Sequence, residues 1–220
     1  MEKVTIEKKD LKMNISNIIA HRGYWKKAEE KNTFAALSNA IKNGYGFETD
    51  FRDCKGEVLI SHNPPVGNEI TAEKVFEMYY QSGSSATLAL NIKADGLQDM
   101  MQTLLQKYEI KNYFFFDMSV CDTILYADKG MTIATRISEY EQETPFWGDS
   151  EFVWLDYFRK DPTEEEIFKC LHAGKKVCIV SPDLHGRDYN NCWKLLKNMN
   201  DDNLYLCTDY PDEAKEYFIE

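Results

Sequence analysis

Apolar residues along this chain follow two periods, and the two alternate. Short runs of strand length occupy 17–20, 46–51, 88–92, 113–117, 131–135, 152–156, 176–180 and 203–207, with an additional short run at 57–60 directly after the second. Between them, apolar positions at helical spacing predict helices over 33–43, 71–81, 97–108, 121–128, 163–172, 188–199 and 211–218. Two helix starts are well marked. Asp161-Pro162-Thr163 precedes three glutamates, and Tyr210-Pro211 precedes Asp212-Glu213. Both place proline early and acid near the positive end of the helix dipole.

Strands alternating with helices predict parallel pairing and an α/β fold. Eight strands fit a closed (β/α)8 TIM barrel, and 220 residues leave little room for elaborate loops. The competing architecture is an open doubly wound sheet, but no glycine-rich dinucleotide fingerprint follows any strand. Polar residues favour the barrel. The runs end in His21-Arg22, Glu48-Thr49-Asp50, Asn91-Ile92-Lys93, Asp117-Met118-Ser119, Thr135-Arg136, Leu155-Asp156, Ser181-Pro182-Asp183 and Thr208-Asp209. Charged or hydroxyl groups at nearly every strand end suggest a rim around one polar site, as at the C-terminal face of a barrel. We therefore expect residues 1–16 to be an N-terminal extension and 17–220 a single compact domain.

Composition narrows the partners. The formal net charge is −11, which repels nucleic-acid backbones and anionic lipid. The charged N-terminal segment lacks an apolar core and a small-residue cleavage site, and no window approaches the roughly 20 apolar residues of a membrane helix. These features predict a cytoplasmic protein without membrane insertion. The six cysteines are scattered, with no CxxC pair, and read as reduced thiols, mostly interior.

Glu48 and Asp50 stand two apart on a strand, so their side chains share a face. Two inward carboxylates repel each other and lose hydration; a hard divalent cation, Mg²⁺ or Ca²⁺, would compensate. His21 and His62, two of only four histidines, flank this pair in the sequence. Imidazole suits proton transfer near neutral pH, and two imidazoles can divide the acid and base roles of phosphodiester hydrolysis. Arg22 and Lys93 can supply the positive charge that a phosphate requires in an acidic protein. Arg136 is a weaker candidate for the same task. In the second half of the chain, Arg136, Asp156, His185 and Arg187 are candidate substrate-binding residues; His185 and Arg187 could meet a second anionic or polyhydroxyl group.

These residues carry a resemblance. Ile18-Ile19-Ala20-His21-Arg22-Gly23, Asn32-Thr33-Phe34, Gly46-Phe47-Glu48-Thr49-Asp50 and Val58-Leu59-Ile60-Ser61-His62 resemble the N-terminal signature of the glycerophosphodiester phosphodiesterases. Leu90-Asn91-Ile92-Lys93 and Cys207-Thr208-Asp209-Tyr210-Pro211 are similar to that family's third and last strands. The resemblance implies a metal-dependent TIM-barrel phosphodiesterase acting on a small glycerol- or polyol-type diester. It implies His21 and His62 as the acid–base pair, Arg22 and Lys93 on the phosphate, and Glu48, Asp50 and Asn91 around one divalent cation. Which histidine is acid and which is base stays open. Three departures stand out: Lys31 where the family has Glu, Asn63 where it has Asp, and Asn91 where it has a third metal-binding Glu. The stretch from Glu48 to His62 is also one residue short. These departures keep two other outcomes in view: a weakened barrel that binds phosphodiesters or serves as a scaffold, and cleavage through a cyclic phosphate.

Overall fold

The computed structural model describes residues 13–142, 144–199 and 201–219. Nine strands form one sheet. β1 (Ile18–His21), β2 (Gly46–Cys54), β4 (Leu88–Ile92), β5 (Tyr113–Phe116), β6 (Ala134–Ile137), β7 (Phe152–Leu155), β8 (Lys176–Val180) and β9 (Leu204–Thr208) run parallel. The strand order is β5-β4-β2-β1-β9-β8-β7-β6, and β3 (Glu57–Ile60) pairs antiparallel with the outer part of β2. A parallel bridge between Phe115 and Ile133, with Phe115 N–H donating to Thr132 O at 2.9 Å, closes the seam between β5 and β6. The result is a barrel of eight parallel strands.

Seven α-helices cover it: α1 (Phe34–Lys42), α2 (Ala72–Ser82), α3 (Gln98–Lys107), α4 (Val120–Asp128), α5 (Glu164–His172), α6 (Asn190–Met199) and α7 (Pro211–Phe218). Local chemistry sets their starts. The Thr33, Thr71, Ser119 and Thr163 hydroxyls each accept an N–H of the first turn. Thr163 and Glu166 form a reciprocal capping box, which explains why the acid-rich start of α5 is stable.

Most elements lie where the apolar periods put them. The sixth strand is displaced: instead of 131–135 it runs from Ala134 to Ile137, and Ile133 contributes only the seam bridge. The shift carries Arg136 into the strand. Most of the expected N-terminal extension, residues 1–12, lies outside the described residues. Met13 and Ile15 already pack against the core, and Thr87 N–H donates to Ser16 O at 3.4 Å.

Two apolar layers follow from strand alternation. One lies between barrel and helices. The other fills the barrel with Ile19, Ala89, Phe114, Phe116, Ala134, Phe152, Trp154, Cys178, Val180, Tyr205 and Cys207. Phe114 stacks on Phe152 and Phe116 on Trp154, with ring centroids 4.4 and 4.1 Å apart. The interior is therefore packed rather than open. Two residues beyond these inward positions come His21, Asn91, Arg136, Asp156 and Asp209. Period two points them into the same space, above the aromatic floor at the C-terminal mouth.

Candidate active site at the barrel mouth

Backbone geometry builds the first part of the site. After β1 the chain turns sharply: Arg22 and Gly23 have φ of 56° and 89°. A Cβ on Gly23 would approach the Ala36 carbonyl carbon to 2.6 Å, so only glycine allows α1 to pack this close. The turn aims the Arg22 N–H at Glu48 Oε2, 3.2 Å away. Asn32, also left-handed at φ 60°, bridges two residues of β2. It donates to Asp50 Oδ2 at 2.8 Å and accepts from Thr49 Oγ1 at 2.7 Å.

Glu48 and Asp50 are fully buried. Burial, reinforced by the nearby Asp50 charge, pushes the Glu48 carboxyl up to about 7, against the opposing pull of His21, Arg22 and Lys93. Arg22 Nε lies 3.1 Å from Asp50 Oδ2, an ion pair whose N–H is not aligned for a hydrogen bond. Lys93 Nζ stands 3.8 Å from Asp50 Oδ1 and 3.1 Å from Asp117 Oδ2.

The residues fit a hard cation in one specific respect. Asn91 pairs with Asp50 in the β2–β4 register, and its Nδ2 donates to Glu48 Oε1 at 3.2 Å. Its Oδ1 and Asp50 Oδ1 are both buried without a hydrogen-bond partner. Two orphaned acceptor oxygens beside a carboxylate are a set that Mg²⁺ or Ca²⁺ would satisfy. The set carries only two formal charges. Among the described residues no cluster of three or more His, Cys, Asp or Glu is arranged around a metal-sized space.

His21 is held from the opposite side of the barrel closure. Its Nδ1 lies 2.6 Å from Asp209 Oδ1, while Nε2 faces Glu48 Oε2 at 3.9 Å. Lys31 Nζ holds Asp209 Oδ2 at 3.1 Å and sits over the Trp25 ring, 4.4 Å from its centroid. Burial acts to raise the Asp209 carboxyl, but the His21 hydrogen bond and the charges of His21 and Lys31 hold it below the ordinary range.

The remaining expected residues divide. His62 follows β3, with the Ser61 N–H on Asp50 O at 2.9 Å, but its side chain is exposed. Its Nδ1 meets Asn63 Oδ1 at 3.1 Å, and no hydrogen bond or ion pair among the described residues joins its ring to the carboxylates. Arg136 forms ion pairs with Asp117 and Glu141, and His185 Nε2 meets Asp156 Oδ1 at 2.7 Å. Arg187 fastens segment 157–161, donating to Tyr157 O and Lys160 O and pairing with Asp161. The structure thus unites His21, Arg22, Glu48, Asp50, Asn91 and Lys93. It adds Asp209, Lys31, Asn32 and Glu141, to which the sequence had assigned no chemical role at the site, and it pairs Asp117, a strand-end residue expected on the polar rim, with Lys93. A cavity of 350 Å³ between the β2–β3 turn, α2 and α3 contains none of these residues.

No family model matches the chain, and no curated protein does. Solved structures do. A glycerophosphodiester phosphodiesterase from Parabacteroides distasonis superposes with TM-score 0.68 at 16% identity, over 91% of this chain and 95% of that one. Another from Agrobacterium tumefaciens gives 0.68 at 16%, over 91% and 97%. A Ca²⁺-dependent phosphatidylinositol-specific phospholipase C from Streptomyces antibioticus gives 0.54 at 10%, over 92% and 98%. The chain has the TIM-barrel fold of the glycerophosphodiester phosphodiesterases, across nearly its whole described length.

Proposed function

We propose that the barrel mouth hydrolyses a small glycerol- or polyol-type phosphodiester to an alcohol and a phosphomonoester. One observation carries the proposal: the His21–Asp209 pair, Arg22 and Lys93 converge on two buried carboxylates at one end of a barrel whose fold is that of phosphodiesterases.

Asp209 is a carboxylate, so the short contact is His21 Nδ1–H donating to it. Neutral His21 then carries its lone pair on Nε2, toward the mouth, and can accept the proton of an attacking water. The water oxygen bonds to phosphorus and the bond from phosphorus to the leaving oxygen breaks. In this reading His62, exposed on the β3 loop, would be the acid that protonates the departing alkoxide once substrate lies between the two histidines. Arg22 and Lys93 pair with the phosphoryl oxygens, exchanging part of their present pairing with Asp50. Glu48, Asp50 and Asn91 would hold one divalent cation. Such an ion would polarise the phosphoryl oxygens and offset the two buried carboxylate charges.

The test is turnover of a panel of phosphodiesters by purified protein with Mg²⁺ or Ca²⁺. His21→Ala and His62→Ala should each abolish it, and full activity in either variant would sink the assignment. Phosphorus NMR of the product separates direct hydrolysis from cleavage through a cyclic phosphate. No turnover combined with retained diester binding would mark a binding or scaffold barrel.

A further inference from the structure

A helix that covers a barrel turns apolar residues inward and charge outward. α5 does so, burying Ile167, Cys170 and Leu171 and exposing Glu164, Glu165 and Lys169. α4 does not. It buries Asp122, Thr123 and Tyr126, and its outward face carries Val120, Cys121, Ile124 and Leu125. Spacings of one and four make these a single patch. Val120 is 60% exposed, Ile124 46% and Leu125 48%. The described residues hold eight exposed large apolar side chains, and these three share one helix of nine residues. The other five stand on separate elements. Scattered apolar side chains need no explanation, whereas a contiguous patch does.

The flank of α4 is open as well. α4 joins β5 to β6, across the seam that the Phe115–Ile133 bridge closes. The next connection, from β6 to β7, holds no helix among the described residues, unlike every other parallel connection of the barrel.

Charge selects what covers this face. At a net charge of −11, two copies of the chain repel over most of their surfaces. The α4 patch is suited to such an approach, because no exposed charge lies between Val120 and Leu125. Charged groups stand at its two ends. At the N-terminal end, exposed Asp95 accepts from Ser119 Oγ at 3.0 Å, beside the positive end of the helix dipole. At the C-terminal end Asp128 and Lys129 are exposed, and Lys129 Nζ pairs with Asp99 Oδ1 at 2.6 Å. Asp128 there lies against the negative end of its own helix, an unfavourable place for an acid. A second α4 laid antiparallel across a two-fold axis reverses this. Each Asp128 then meets a positive helix N-terminus, and each Lys129 comes beside an Asp95.

We infer that the outward face of α4 is a self-association surface. Two copies of this chain pair their α4 helices antiparallel, with Ile124 of each on Leu125 of the other. One short helix pair lies at the small end of specific interfaces, under about 1,200 Å² in total, so the dimer is weak, with a Kd of roughly 1–100 µM.

Sedimentation velocity of the full chain tests this without reference to catalysis. A monomer-to-dimer shift should appear between about 1 and 300 µM. Ile124→Glu and Leu125→Glu should each raise the Kd at least about tenfold. Both side chains are already half exposed, so both variants should keep the parent's circular dichroism spectrum. Charge exchange tests the antiparallel arrangement. Lys129→Asp should weaken association, and adding Asp95→Lys should restore it. The tie between Lys129 and Asp99 is lost in both variants and cannot produce the restoration. A parent chain monomeric at the highest concentration, a dimer indifferent to Ile124→Glu, or an exchange without restoration would each overturn the inference. A monomer that instead binds phosphatidylcholine vesicles through Ile124 and Leu125 would also overturn it, and would assign the face to a lipid surface.

Discussion

His21 on the first strand and Asp209 just beyond the last meet at 2.6 Å across the β1–β9 pairing of the barrel. They are 188 positions apart. Their contact follows from register, because Ile19 pairs with Cys207 and Ala20 with Thr208. The next step along both strands brings the two side chains together on the inward face. Asp209→Asn keeps the shape and removes the charge that fixes the imidazole tautomer. We expect a loss of about a hundredfold, of the order of removing general base catalysis, in kcat rather than in KM. Nitrogen-15 NMR of the His21 ring should show a mixed tautomer in the variant. An unchanged kcat with an unchanged ring spectrum would contradict the role.

The same contact shows what could be read from the chain in advance. His21, Glu48, Asp50 and Lys93 were legible because period two and strand ends are local features, whereas Asn91 gained a role only through the family resemblance. The pairing of His21 with Asp209 depends on the wrap of the sheet, and no local pattern carries it. Asn32 belongs to a recognisable triplet, but its bridging of Thr49 and Asp50 needs the left-handed turn that brings it back to β2. Arg136 was visible as a strand-end cation. Its partner Glu141 was not, because the β6–β7 loop has no periodicity to place it. The His62 ring depends on a loop held through its backbone, by Ser61 N–H to Asp50 O and by Arg52 Nε to His62 O, and none of these ties orients the ring toward the carboxylates.

Glu48 sets a pH dependence. Its folded pKa, raised to about 7 by burial first and Asp50 second, exceeds the unfolded value near 4.5. The folded chain therefore holds a proton that the unfolded chain releases between those values, and its stability falls as pH rises from about 4.5 to 7. Glu48→Gln removes this penalty. Without divalent cation, the variant should match the parent at pH 4 and exceed it by about 3 kcal/mol at pH 8, at roughly 1.4 kcal/mol per unit. Urea melts across that range read it. A difference that does not vary with pH would contradict the burial argument.

Glu166 behaves in the opposite sense. Burial acts to raise its pKa, but hydrogen bonds from the Thr163 N–H, Lys160, Tyr157 and the Thr163 hydroxyl prevail and lower it to about 2. The stabilisation from this capping box is present above the unfolded value near 4.5 and is lost as pH falls through about 2. Glu166→Ala should lower stability by about 1 kcal/mol at pH 7, the usual scale for a helix cap, and by almost nothing at pH 2. Thermal melts of the two proteins should converge on acidification. A gap that stays constant would assign the loss to packing instead.

Asn91 offers the sharpest test of the cation site. Asn91→Asp preserves the volume at a position only 6% exposed. It removes the Nδ2 donor to Glu48 Oε1 and places a third carboxylate beside Glu48 and Asp50. Without cation, three buried acids repel, and Tm should fall by several degrees, as expected for a loss of 1–3 kcal/mol from an unpaired buried group. With millimolar Mg²⁺ or Ca²⁺ the order should reverse, because the added charge draws the ion and ligand charge tunes affinity for hard cations. Calorimetry should show at least tenfold tighter binding in the variant. The orphaned oxygens of Asn91 and Asp50 are the reason for expecting an ion there at all. If cation raises the Tm of neither protein, those oxygens are satisfied by water alone, and the two buried carboxylates need another account of their stability.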